Sequence, residues 1–116
     1  MHFKLIIALV DDEKTTKVIK AARKAGATGA TIINHARGEG LTKSATFLGL
    51  GMEVQRDVIL FLVEEHFCRA VLETISERGR FDDERGSGIA FSIDVDDAVG
   101  VAHQIKELSD SVEDEI

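Results

Sequence analysis

The stretch from Leu5 to Gly26 recurs from Val58 to Gly79. The second copy pairs Ile6 with Ile59, Ile7 with Leu60, Leu9 with Leu62, Val10 with Val63, Val18 with Val71, Ile19 with Leu72 and Gly26 with Gly79. The acidic pair Asp11-Asp12 falls on Glu64-Glu65. Each copy is an apolar run, two acids, a segment with helical spacing and a glycine, followed by a further apolar run (Ala30 to Ile33, then Ile89 to Ile93). Internal repeats constrain architecture before any local propensity does. Here they spell strand–helix–strand twice, in a chain of 116 residues that has room for about one domain.

The runs Phe3 to Val10 and Val58 to Val63 are apolar without alternation, as in strands covered on both faces. Asp11 and Asp12 are placed to cap a first helix carrying Val18, Ala21, Ala22 and Ala25 on one side, with Gly26 as its stop. Glu64 and Glu65 should start a second helix carrying Phe67, Cys68, Val71, Leu72 and Ile75 and ending at Gly79. A last short helix is expected from Asp94 to Leu108, capped by Asp94 or Asp96. The fold class is therefore α+β, a ferredoxin-like βαββαβ sandwich over residues 1–108 with an acidic, frayed tail at 109–116. Right-handed crossovers put both helices on one sheet face. The other face, equally apolar, needs cover; a homotrimer with its sheets facing inward is the expected form, with a dimer as the alternative.

A formal charge of −7 does not suit a nucleic-acid duplex or direct insertion at an anionic membrane. The single cysteine, Cys68, leaves no intrachain disulfide and suits a reducing cytoplasmic setting. The first apolar run is too short to span a bilayer and lacks a cleavage-like site, so neither a signal peptide nor an anchor is expected.

Two segments break the duplication. The stretch between the second and third strands, 38–55, is far longer than the about two to five residues a hairpin needs. It is rich in glycine, and from Glu39 to Met52 it should be the least ordered internal part of the chain. Its apolar cluster, Phe47, Leu48, Leu50 and Met52, suits a docking loop. Arg37-Gly38-Glu39-Gly40 opens it, and a second tetrad, Arg85-Gly86-Ser87-Gly88, precedes the last strand. Glycines let successive N–H groups converge on an anion, and arginine offers a planar fork for phosphate oxygens. Two glycine turns beside solvated arginines would look the same, and so short a pattern is more often only that.

The four histidines, His2, His35, His66 and His103, have no ligand spacing, and no metal site is expected from one chain. Ser44 and Ser87 lack a nearby histidine base in the sequence, and Cys68 lies on an apolar helix face. No catalytic residues are assigned, and the chain is read as a non-enzyme.

Taken together, the two copies, the long loop opening with Arg37-Gly38-Glu39-Gly40 and the turn Gly86-Ser87-Gly88-Ile89-Ala90-Phe91 resemble the PII signal-transduction family. The following Ile93-Asp94-Val95-Asp96-Asp97-Ala98-Val99 is similar to that family's last strand and acidic short helix, and the resemblance spans about Phe3 to His103. It implies a cytosolic homotrimer that binds adenine nucleotides between subunits and regulates a membrane transporter or enzyme through the 38–55 loop. Carried over by position, Thr31 and the backbone near Leu62 would hold adenine. Arg37, Gly38 and Gly40 would line one side of the cleft, Arg56 would replace a family lysine, and Gly86, Ser87 and Gly88, with Arg85 beside them, would cradle phosphates. The family's paired arginines fall on Gly100 and Ala102, and its lysines on Ile89 and Val58. With fewer cations, AMP, ADP or a cyclic nucleotide is expected in preference to ATP. The loop has no tyrosine to modify. Rival functions on the same fold are a CutA-like or ACT-type binding protein for a metal ion or amino acid, and a small ferredoxin-like isomerase or monooxygenase.

Overall fold

The computed structural model describes residues 1–36, 55–84, 86–103 and 105–106. Arg37, Gly38, Gly40, Arg85, nearly all of the 38–55 loop and the 109–116 tail lie outside the described residues. The elements are β1 (Phe3–Asp11), α1 (Thr15–Ala25), β2 (Thr31–Ala36), β3 (Arg56–Glu64), α2 (Glu65–Gly79) and β4 (Gly88–Asp94). They form one antiparallel sheet in the order β2-β3-β1-β4, the ferredoxin-like α+β sandwich that the duplication predicts.

Register decides what each sheet face carries. Ile6 lies opposite Phe61 and Ala8 opposite Ile59, and all four are sealed beneath Val18 and Ala22 of α1 and Val71 and Ile75 of α2. One residue along, Leu5 faces Leu62 and Ile7 faces Leu60 on the opposite side of the sheet, because side chains alternate along a strand. That side is equally apolar and only partly covered: Ile33, Phe91 and Ile93 are 51%, 40% and 48% exposed.

The two helices start by different means. Asp11 and Asp12 do not cap α1. Asp11 ends β1, and its Oδ1 accepts the Glu13 N–H at 3.1 Å, so the helix begins only at Thr15 with Lys14 in the cap position and no side-chain cap. The carboxylate near that positive helix end comes instead from β3, where Asp57 Oδ2 accepts the Thr15 hydroxyl at 2.6 Å in a buried pair. Lys14 crosses to the end of α2 and donates to the Gly79 carbonyl at 3.1 Å and to Glu84 at 2.7 Å. In α2 the expected cap is present: Glu64 accepts the His66 N–H at 2.7 Å.

The stops differ as well. Gly26 ends α1 at φ +129, a backbone angle that other residues rarely adopt. Gly79 belongs to α2 itself, and Arg80 takes the left-handed cap at φ 56. Glycine is needed at 79 for room, since a Cβ there would sit 2.8 Å from Cδ1 of Phe81.

The expected helix from Asp94 does not form as read. Asp94 ends β4, the Val95 N–H donates to the Phe3 carbonyl at 3.2 Å, and the Asp94 carboxylate lies 3.3 Å from both Lys4 and His2. Strand pairing holds this segment where a helix cap was expected, and helical hydrogen bonding enters only with Ile105 N–H to Val101. β2 runs to Ala36 rather than Ile33. It passes a register shift between Ile33 and Ala36, where His35 sits at φ 63 and pairs with Gln55 at 3.0 Å.

Candidate functional site

One end of the sheet gathers the end of β1 and the starts of β3 and β4. Arg56, the first residue of β3, lies opposite Asp11 in register and is 4% exposed. Its Nη2 donates to the Gly86 carbonyl at 2.5 Å, and its Nη1 stands 3.8 Å from Asp11 Oδ2. Among the described residues, Nε and Nη1 have no hydrogen-bond partner. Buried arginines are almost always fully paired, because stripping water from a charged donor without replacing its bonds is costly. Donors left in this way have the chemistry to take an anion.

The segment that meets Arg56 is tightly folded. Gly86 takes φ 76, Ser87 N–H donates to Glu84 at 3.2 Å, Ser87 Oγ donates to the Arg80 carbonyl at 2.8 Å, and Asp11 N–H reaches the Ser87 carbonyl at 3.4 Å. The Ser87 hydroxyl is therefore committed to the turn. The Phe81 ring lies in a slot bounded by Gly79 and Gly88, and a Cβ on Gly88 would meet both that ring and, at 2.7 Å, the Leu9 carbonyl. Glu84 is held below the usual carboxylate range, first by the hydrogen bond from Lys14. Asp94, at the far end of the sheet, is lowered first by His2 and then by Lys4.

Not all of the sequence-derived site residues meet in one chain. Arg56 reaches Gly86 and stands beside the start of β4, where Ser87 and Gly88 follow. Thr31, exposed, begins β2 opposite Leu60, with the half-buried Leu62 two positions along on the same sheet face. β2 and β4 are opposite edges of the sheet, about three strand spacings of 4.7–4.9 Å apart. Thr31 is thus kept from the Gly86–Gly88 turn within a single chain by the width of the sheet, and Leu62 by its length, since its register partner Leu5 pairs with Ile93 near the other end of β4. Asp11 was missed as a member of this end of the sheet because a pre-helical aspartate reads as a cap. Its signal was its place one residue beyond a strand that must pair with the strand beginning at Arg56.

Two other features are set apart by their chemistry. A cleft of about 530 Å³ lies between α2 and β4, floored by Leu72 and Phe81 and rimmed by Glu73, Glu77, Asp82 and Asp83. Against those four acids the lining sets one cation, Arg69, itself bonded to Glu73, so the cleft disfavours phosphate. Glu64, Glu65 and His66 offer ligand atoms within 4.8 Å of one another, but both Glu64 oxygens already accept from His66, its N–H at 2.7 Å and its Nδ1 at 2.6 Å. The group is the start of α2, built as a cap.

Residues 3–104 match the family model described as nitrogen regulatory protein P-II, and the chain belongs to that family. Among the solved structures that share its fold are three PII-like ones. A PII-like signalling protein from Thermus thermophilus is 21% identical, with 82% of this chain and 87% of that one covered at a TM-score of 0.59. CPII from Thiomonas intermedia, solved with ADP, AMP and acetate, is 20% identical over 83% and 90% of the two chains, at 0.60. The apo form of CPII, a nitrogen regulatory PII-like protein, is 18% identical over 82% and 90%, at 0.63. No curated protein sequence matches. Among the described residues no helix is long and apolar enough to cross a membrane.

Proposed function

We propose that this PII-family chain is a cytoplasmic regulator that works as a homotrimer. It senses an adenine nucleotide between subunits and acts on a transporter or enzyme through its 38–55 loop. The observation that carries the reading is the buried Arg56 guanidinium, whose Nε and Nη1 lack partners among the described residues, beside the Gly86 turn. Its chemistry is that of a phosphate or carboxylate receptor. The separation of Thr31 and Leu62 from that turn within one chain fits a cleft completed by a second copy. The apolar, half-covered sheet face gives copies a surface to share. That CPII has been solved with ADP and AMP favours the same ligand class here, with Arg37, Gly38, Gly40 and Arg85 as further lining.

Calorimetry with AMP, ADP, ATP and cyclic AMP tests the ligand, and light scattering tests the assembly. We expect AMP or ADP to bind at least as tightly as ATP to a trimer. Because a hydrogen bond to a charged group contributes about 1.5–3 kcal/mol, Arg56→Gln should weaken binding by about ten- to a hundredfold. No heat from any adenine nucleotide at millimolar concentration would reduce the glycine tetrads to turns, and a stable monomer would remove the shared cleft.

A further inference from the structure

The same end of the sheet carries an acid that no nucleotide site requires. We propose that Asp11 sets which anions this site accepts. It is a built-in competitor for Arg56, and it penalises an incoming ligand in proportion to that ligand's negative charge. The inference rests on the reading of the Arg56–Gly86 turn as an anion site.

Cross-strand register fixes Asp11 directly opposite Arg56, so the two side chains share one sheet face. The approach of Asp11 Oδ2 to Nη1, 3.8 Å, is too long for a hydrogen bond, so the carboxylate balances the charge without filling a donor. Nor is it free to close the gap, since its other oxygen is anchored to the Glu13 N–H at 3.1 Å. The guanidinium side chain is 5% exposed and that of Asp11 is 29% exposed, so the acid stands on the solvent side of the pair. An anion that reaches Nε or Nη1 gains charge-assisted hydrogen bonds and must accept a fixed negative charge nearby. In a partly buried setting that repulsion is much stronger than in bulk water, and it grows with each charge on the ligand. A monophosphate is penalised least and a triphosphate most.

Asp11→Asn removes the charge and keeps an oxygen for the Glu13 N–H. Asp11→Ser, which also accepts from a residue two positions on, serves as a second variant if the first fails to fold. Calorimetry of wild type and variant with AMP, ADP, ATP and inorganic pyrophosphate should show tighter binding to the variant. The gain should rise from AMP through ADP to about tenfold for ATP, and should shrink as salt is added. Unchanged or weaker binding, or an equal gain for all three nucleotides, overturns the proposal while leaving the nucleotide reading intact. If neither protein binds a nucleotide but the variant takes up pyrophosphate more tightly, the gate stands and the nucleotide reading falls. If neither protein binds pyrophosphate or a nucleotide, both fall.

Discussion

The two halves of the chain began as one pattern and have diverged in how they hold their helices. In the second half the solution is local: Glu64 caps α2 from the adjoining position. In the first half it is borrowed, with Asp57 supplying the carboxylate at the start of α1 and Lys14 spending its charge on the far end of α2. The core is divided just as unevenly, for Ala8 in the first copy occupies the place that Phe61 fills in the second, and both are fully buried. A repeat thus transmits topology faithfully and transmits side-chain function poorly, because each half packs against the other rather than against a copy of itself.

The strongest way to break this comparison is in the core. If the second copy supplies the bulk that the first lacks, Phe61→Ala should cost about 3–5 kcal/mol in denaturant unfolding, since Ala8 cannot collapse into the space. A loss below 1 kcal/mol would mean that the two halves share the load evenly. The helix stops give the next largest effect, with opposite signs in the two halves. Gly26→Ala puts a Cβ at φ +129, about 2.7 Å from the Phe67 ring, and should cost about 1–3 kcal/mol. Arg80→Gly relieves a left-handed arginine and should be neutral or stabilising by about 1 kcal/mol. Equal losses at the two sites would erase the distinction. The smallest effect is electrostatic and falls on ties that join the halves. Glu84 and Asp94 are both held below their ordinary values of 4.5 and 3.8. As pH falls through those values the unfolded chain takes up protons before the folded one does. Stability that is complete above pH 4.5 should therefore decline toward the lowered folded values, and Glu84→Gln should flatten part of that decline in acid melts.

Strand order and the two apolar faces were legible because the duplication prescribes the first and unbroken apolar runs the second, and the register agrees with both. The caps were less so. Asp11 and Glu64 look alike in sequence, but only the structure reveals that strand pairing reaches Asp11 and delays α1 to Thr15. The same competition between sheet and helix displaced the expected start at Asp94, where Val95 continues the pairing with Phe3. At the candidate site, Arg56, Gly86, Ser87 and Gly88 could be named from the chain. That Arg56 is buried with donors unpartnered among the described residues, and that an aspartate faces it, depends on contacts between distant segments that no local pattern encodes.

The ring of Phe81 between Gly79 and Gly88 has a consequence for how this chain can vary over generations. Neither glycine can acquire a side chain while the ring is present; with the ring gone position 79 is released, whereas a Cβ at 88 would still stand 2.7 Å from the Leu9 carbonyl. Positions 79 and 81 are thus one heritable unit, while Gly88 is fixed by the backbone as well. A lineage could cross to a different solution only by losing the aromatic first and filling position 79 afterwards, so that the order of substitutions, more than their number, would decide which descendants still fold.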